Sequence, residues 1–109
     1  MAGLAVDNTP HMTVDVAEHD EQTVTVRLGG EIDMTNVDAL AAAVAPALER
    51  APARLVVDVG DVRFADSSAI ALWVQWATSV PEMELRDPPP LLRRVVDSMG
   101  LSTTLKVAP

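Results

Sequence analysis

Between Pro52 and Gly60 lies Leu55-Val56-Val57-Asp58-Val59, a short run rich in β-branched side chains and apolar at consecutive positions. It is too short for an amphipathic helix, and as a strand it sends apolar side chains to both faces. Arg54 to Val59 therefore reads as an interior strand of a sheet with a parallel component. Parallel neighbours need long crossovers, usually helical, so the flanking segments must supply helices.

The flanks carry that pattern. Upstream, Val37, Leu40, Val44 and Leu48 recur at near-helical spacing. Thr35 is placed as the N-cap, with Asp38 in the capping-box position. Pro46 interrupts this helix and predicts a kink, or an early end with a loose last turn. Downstream, Gly60-Asp61 is expected to turn the chain and Val62 and Phe64 to anchor the loop. Asp66 or Ser67 then caps a helix running to about Ser79, stopped by Val80-Pro81. Met12 to Glu18 and Thr23 to Leu28 alternate apolar and polar around the turn His19-Asp20-Glu21-Gln22, as in an antiparallel hairpin, and Gly29-Gly30 breaks the second strand. Glu82 to Arg86 reads as a brief strand. Asp87-Pro88-Pro89-Pro90 leads into a last helix with the apolar stripe Leu92, Val95, Val96 and Met99, closed by Gly100. Thr104 to Val107 reads as a final short strand or a tail. The order β-β-α-β-α-β-α gives a single α/β domain, a mixed sheet of four or five strands with helices packed mainly on one face. The domain spans residues 12–109, and residues 1–11 read as a flexible leader.

Composition narrows the function. The 109 residues fit one domain, and 49% hydrophobic side chains suffice for one core. Phe64, Trp73 and Trp76 are the only aromatics, so that core is mostly aliphatic. With no cysteine there is no disulfide frame and no thiolate chemistry. A net charge of -8 argues against nucleic-acid binding and for a basic or mixed-charge protein partner. No apolar run approaches the ~18 residues that span a bilayer, and residues 1–11 lack a signal-peptide pattern. The expected location is the cytoplasm, with no membrane partner.

Enzyme chemistry finds little support. Ser67 lacks the Gly-x-Ser-x-Gly setting of a nucleophile elbow. His11 and His19 fall in the leader and the hairpin turn, placed neither as triad partners nor as zinc ligands. Asp58, Asp61 and Asp66 fit no calcium loop, and no glycine-rich phosphate loop is present. No catalytic residue, metal or cofactor is expected.

The informative block is Phe64-Ala65-Asp66-Ser67-Ser68-Ala69-Ile70-Ala71-Leu72, a strand and loop opening a helix through Asp-Ser-Ser. Taken alone, Asp66, Ser67 and Ser68 are good capping residues. Within the helix, Ile70, Trp73, Val74 and Ala77 form one face, the expected core face. Ala69, Leu72 and Trp76 form a second, which either anchors a partner or lies under the last helix.

Together with Gly30-Glu31-Ile32-Asp33 and with Pro90 through Leu101, this block resembles the STAS family in its anti-sigma factor antagonist branch, over roughly residues 12–107. The resemblance implies a binding protein that controls transcription indirectly. Ser67 maps to the phosphoacceptor. The implied partners are an anti-sigma factor that is also a serine kinase of the histidine-kinase-like ATPase fold, and a phosphatase. Asp33, Asp66 and Ser68 are expected to shape the kinase-facing surface, Ala69 stands where the family usually has glycine and a partner approaches closely, and Leu72 and Trp76 are the candidate partner anchors on the second face of the helix. The physics agrees: a serine in a helix's first turn lies beside free backbone donors and the positive dipole end, and a phosphate there adds about -1.5 to -2 charges to an acidic rim. Two other readings fit the same resemblance, a STAS subunit of a lipid-transport ABC ATPase and an unphosphorylated scaffold or ligand-binding STAS module.

Overall fold

The sheet is built on β3, Arg54–Ala65, in a computed structural model that describes residues 12–108; the expected leader lies outside the described residues. The elements in chain order are β1 (Met12–Glu18), β2 (Thr23–Ile32), α1 (Val37–Glu49), β3, α2 (Ser67–Ser79), β4 (Glu82–Arg86), α3 (Pro90–Ser98) and β5 (Val107–Ala108). The strands lie in the order β1-β2-β3-β4-β5, with β1 antiparallel to β2 and every other pairing parallel. The expected mixed α/β sheet, five-stranded, is thus the observed one.

Register explains why only one face is covered. Val24, Leu55 and Met83 share a row, as do Val26, Val57 and Leu85, and all six are buried in one cluster with Leu40 and Val44 of α1, Ile70, Trp73 and Trp76 of α2, and Leu92 and Val96 of α3. The opposite face is mostly polar, with Ala17 and Val56 as apolar members of one row. One of its rows reads Asp15, Arg27, Asp58, Arg86, alternating in sign across four strands. Arg54 reaches Glu84 at 2.6 Å and Arg86 reaches the same carboxylate at 2.8 Å. Such partly exposed pairs contribute about 0–1 kcal/mol each, so this face is held by its backbone ladder and not by its charges.

Both inner strands run past their expected ends. β2 continues through Gly29-Gly30 to Ile32, and β3 continues through Gly60-Asp61 to Ala65. Pairing survives because β3 inserts an extra residue opposite β2 twice: Arg27 and Gly29 face Asp58 and Asp61, and Gly30 and Glu31 face Val62 and Phe64. Each bulge re-aims the side chains that follow it. Val62 consequently enters the core, while Phe64, expected as an anchor, is 52% exposed. Gly30 takes φ +82° at the second irregularity, a conformation that costs a side-chain-bearing residue about 1–2 kcal/mol. Gly30→Ala is expected to lower unfolding free energy by about that amount in urea titrations, with an unchanged m-value.

Helix ends also depart from expectation. The N-cap of α1 is Asn36, not Thr35. Asn36 turns its side chain backwards, accepting from the Asp33 N–H (3.0 Å) and donating to the Glu31 carbonyl (2.8 Å), which secures the turn and leaves the helix without a side-chain cap. Pro46 does not end α1, which runs on to Glu49. In α3 only Leu92 and Val96 are buried, whereas Val95 and Met99 are exposed, so the core stripe is narrower than the sequence pattern. Gly100 closes α3 as expected, at φ +73°, with Gly100 N–H on the Asp97 carbonyl (2.9 Å) and Leu101 N–H on the Val96 carbonyl (3.0 Å). Of the expected last strand, Val107 pairs with β4, joined by Ala108, while Thr104 lies in a turn.

Candidate functional site

Because β2, β3 and β4 are parallel, the segments that leave them emerge at one edge of the sheet, the edge where α/β folds usually bind their ligands. Asp33 to Asn36 follows β2, Asp66 follows β3, and Asp87 to Pro89 follows β4. Ser67 opens α2 at this edge.

Asp66 is the hub. As N-cap of α2 its Oδ1 accepts from Ser68 N–H at 3.0 Å, Ala69 N–H at 3.2 Å and the Ser68 hydroxyl at 2.5 Å. Its Oδ2 accepts from Met34 N–H at 3.2 Å, and its own N–H donates to the Ile32 carbonyl at 3.2 Å. The Ser68 hydroxyl is the main reason its carboxyl titrates below the ordinary 3.8; partial burial opposes the shift, and the N–H groups of Ala69, Ser68 and Met34 reinforce it. Asp66 is therefore an anionic, acceptor-only group at neutral pH. Asp33 organises the neighbouring turn, its Oδ1 accepting from Thr35 N–H (2.9 Å) and the Thr35 hydroxyl (2.5 Å).

These contacts separate the two serines. Ser68 is half-buried and commits its hydroxyl to Asp66. Ser67 is exposed, and its hydroxyl has no hydrogen-bond partner among the described residues. Ser67 lies on the solvent stripe of α2 with Ala71, Gln75 and Thr78. Beside that stripe runs an open groove between α1 and α2, lined by Val37, Asp38, Ala41, Ser68, Leu72 and Gln75.

The expected site residues divide accordingly. Ser67, Asp66, Ser68 and Asp33 come together at the edge, and Leu72 lines the adjacent groove. Ala69 and Trp76 are corrections: both are buried and present no side chain to a partner. The buried stripe of α2 is Ala69, Ile70, Trp73 and Trp76, rotated from the expected face because a tryptophan carries far more apolar surface than Val74 or Ala77. The Ala69 methyl therefore points into the core.

The sequence did not signal that large apolar side chains stand exposed beyond the strand ends. Met34 is 77% exposed and Leu91 67% exposed, and with Phe64 they sit at or just beyond the ends of β2, β4 and β3 respectively. Phe64, Leu91 and Val95 share one shallow apolar groove with Val62 and Pro89. Exposed apolar residues scattered singly need no account, whereas a grouping such as Phe64, Leu91 and Val95 is of the kind that interaction surfaces use. The one available signal was Met34 in a turn that otherwise reads as polar.

No group of acidic or histidine side chains suited to a metal ion occurs among the described residues, and no helix there is long and apolar enough to cross a membrane.

No curated protein gives a significant match. Among solved structures, an anti-sigma factor antagonist from Mycobacterium paratuberculosis is 26% identical with a TM-score of 0.83, over 91% of this chain and 86% of that one. The anti-sigma factor antagonist SpoIIAA in its unphosphorylated form is 24% identical with a TM-score of 0.76, over 89% of both chains. Bacillus SpoIIAA in its phosphorylated form is 24% identical with a TM-score of 0.70, over 89% of this chain and 92% of that one. The family model described as "Mlab, STAS domain" matches residues 14–107. Across nearly its whole length, then, the chain belongs to the STAS domain family.

Proposed function

We propose that the chain is an anti-sigma factor antagonist, a non-catalytic cytoplasmic binding domain inactivated by phosphorylation of Ser67. The observation that carries this reading is the pairing of an exposed, uncommitted hydroxyl at the start of α2 with exposed apolar side chains, Met34 and Phe64, at the ends of the adjoining strands β2 and β3. The antagonists among its structural neighbours support it.

In this reading the partner is an anti-sigma factor that doubles as a serine kinase. It covers Met34, Phe64 and Leu91, the apolar anchors that an interface core favours, and reaches Leu72 through the groove between α1 and α2. Asp33 and Ser68 shape the polar surface around the acceptor, and Asp66 holds the first turn of α2 that carries it. Transfer forms the Ser67 Oγ–phosphorus bond, breaks the bond between the γ-phosphorus and the bridging oxygen of ADP, and passes the hydroxyl proton to a base of the kinase. A phosphatase reverses the state by hydrolysis.

The test is incubation of the full chain with ATP and candidate anti-sigma kinases, read by intact mass. A gain of one phosphate is expected, lost in Ser67→Ala and kept in Ser68→Ala. Ser67→Ala is expected to leave stability within about 0.5 kcal/mol, as an exposed substitution outside the cap contacts. Modification of Ser68 instead sinks the assignment. An unmodified chain that co-purifies with a lipid-transport ATPase points to the other STAS role.

A further inference from the structure

One carboxylate at the candidate site serves two elements that are far apart in sequence. Asp66 Oδ1 holds the first turn of α2 through Ser68 and Ala69. Asp66 Oδ2 holds the Met34 N–H of the turn after β2, at 3.2 Å. That turn is otherwise closed on itself: Asp33 bonds Thr35, and Asn36 bonds Asp33 and Glu31. No other side-chain hydrogen bond joins it to α2 among the described residues. Backbone adds a single tie below it, from Asp66 N–H to the Ile32 carbonyl.

We propose that Asp66 is a positioning residue that locks the Met34 turn to the first turn of α2, so that the Met34 side chain and the Ser67 hydroxyl are presented as one preformed surface. A helix N-cap needs only one acceptor oxygen. Serine or asparagine at position 66 is as good a cap, so capping alone does not call for aspartate. The second oxygen is what aspartate adds, because an ionised carboxylate offers acceptors on both sides whereas an asparagine offers one oxygen and an amide NH2 that donates and cannot accept. Docking onto a preformed surface spares the ordering cost of a loose turn, so the bridge raises affinity without touching the partner. This functional consequence rests on the docking surface proposed above; the bridge itself does not.

The asymmetry between asparagine and alanine gives the experiment, amide hydrogen exchange by NMR on the full chain. In Asp66→Asn the Met34 amide is expected to exchange at least fivefold faster, with Ser68 and Ala69 remaining within fivefold of wild type, since the remaining oxygen still caps α2. In Asp66→Ala all three are expected to accelerate more than fivefold. Met34 exchange within fivefold of wild type in Asp66→Asn, or acceleration of Ser68 and Ala69 alongside Met34 in that variant, overturns the bridge. With an anti-sigma factor in hand, Asp66→Asn is expected to bind about tenfold more weakly at an unchanged Tm. Unchanged affinity despite a freed Met34 amide overturns the positioning role. A wild-type chain that binds no anti-sigma factor counts against the proposed function alone, and the exchange result still decides the bridge.

Discussion

Alanine at Trp73 is expected to destabilise the domain by about 3–5 kcal/mol, the range for truncating a large buried aromatic. Trp73 is the largest fully buried side chain, and it sits in the cluster that joins all three helices to the covered face of the sheet. Removing the indole forfeits its transfer free energy and leaves a cavity that rigid neighbours fill only in part. A domain of this size has about 5–15 kcal/mol in total, so the variant is expected to melt more than 10 °C below wild type. Trp73→Phe separates packing from polarity. The indole Nε1–H is buried with no hydrogen-bond partner among the described residues, and a buried donor without a partner costs about 1–3 kcal/mol. Phenylalanine keeps most of the ring and removes that donor, so its cost is expected to stay below about 1.5 kcal/mol. Thermal and urea melts of the two variants check both values. Alanine and phenylalanine costing the same would refute this account of the core.

How far the molecule could be read from its sequence depends on which signals are local. Alternation in Met12–Glu18 and Thr23–Leu28 set the hairpin, and the run around Val57 set the inner strand with its parallel neighbours. The order of elements and the covered face followed from these. The long extensions of β2 and β3 were not legible, because Gly29-Gly30 and Gly60-Asp61 carry turn chemistry that cross-strand pairing overrides, accommodated by two bulges. Bulges are set by the register between strands, which no single segment encodes. The same cause hid Phe64: its alternation with Val62 points inward, and the inserted residue turns it out. In α2 the periodicity was ambiguous because apolar residues lie nearly all round, and tertiary packing chose the stripe with both tryptophans. At the site, Asp-Ser-Ser marked the start of α2, with the cap left open between Asp66 and Ser67 until the structure gave Asp66. The link from Asp66 to Met34 required a three-dimensional contact between residues 32 positions apart.

Phosphorylation of Ser67 is expected to weaken binding of the anti-sigma factor by at least about 100-fold, or roughly 2.7 kcal/mol, while leaving the domain folded. Two opposing local effects explain why the fold survives. A phosphate in the first turn of a helix gains about 0.3–1 kcal/mol from the dipole. Beside it stands the ionised Asp66, already holding the N–H groups of Ser68 and Ala69, and it repels the new charge by a similar amount at an exposed position. The net change in stability is therefore expected to stay under about 1 kcal/mol. Binding lacks this compensation. Covering Met34, Phe64 and Leu91 requires drying the edge on which the phosphate sits, and stripping water from a dianion with no paired cation costs several kcal/mol. Calorimetric titration of both forms against the same partner, with a melt of each, measures the two quantities separately. At about 1 M salt, where screening reaches within 3 Å, long-range repulsion fades but the buried phosphate remains, so most of the 100-fold loss should persist. Equal affinity of the two forms, or a phosphorylated domain that has unfolded, would rule out exclusion at a rigid surface as the switching mechanism.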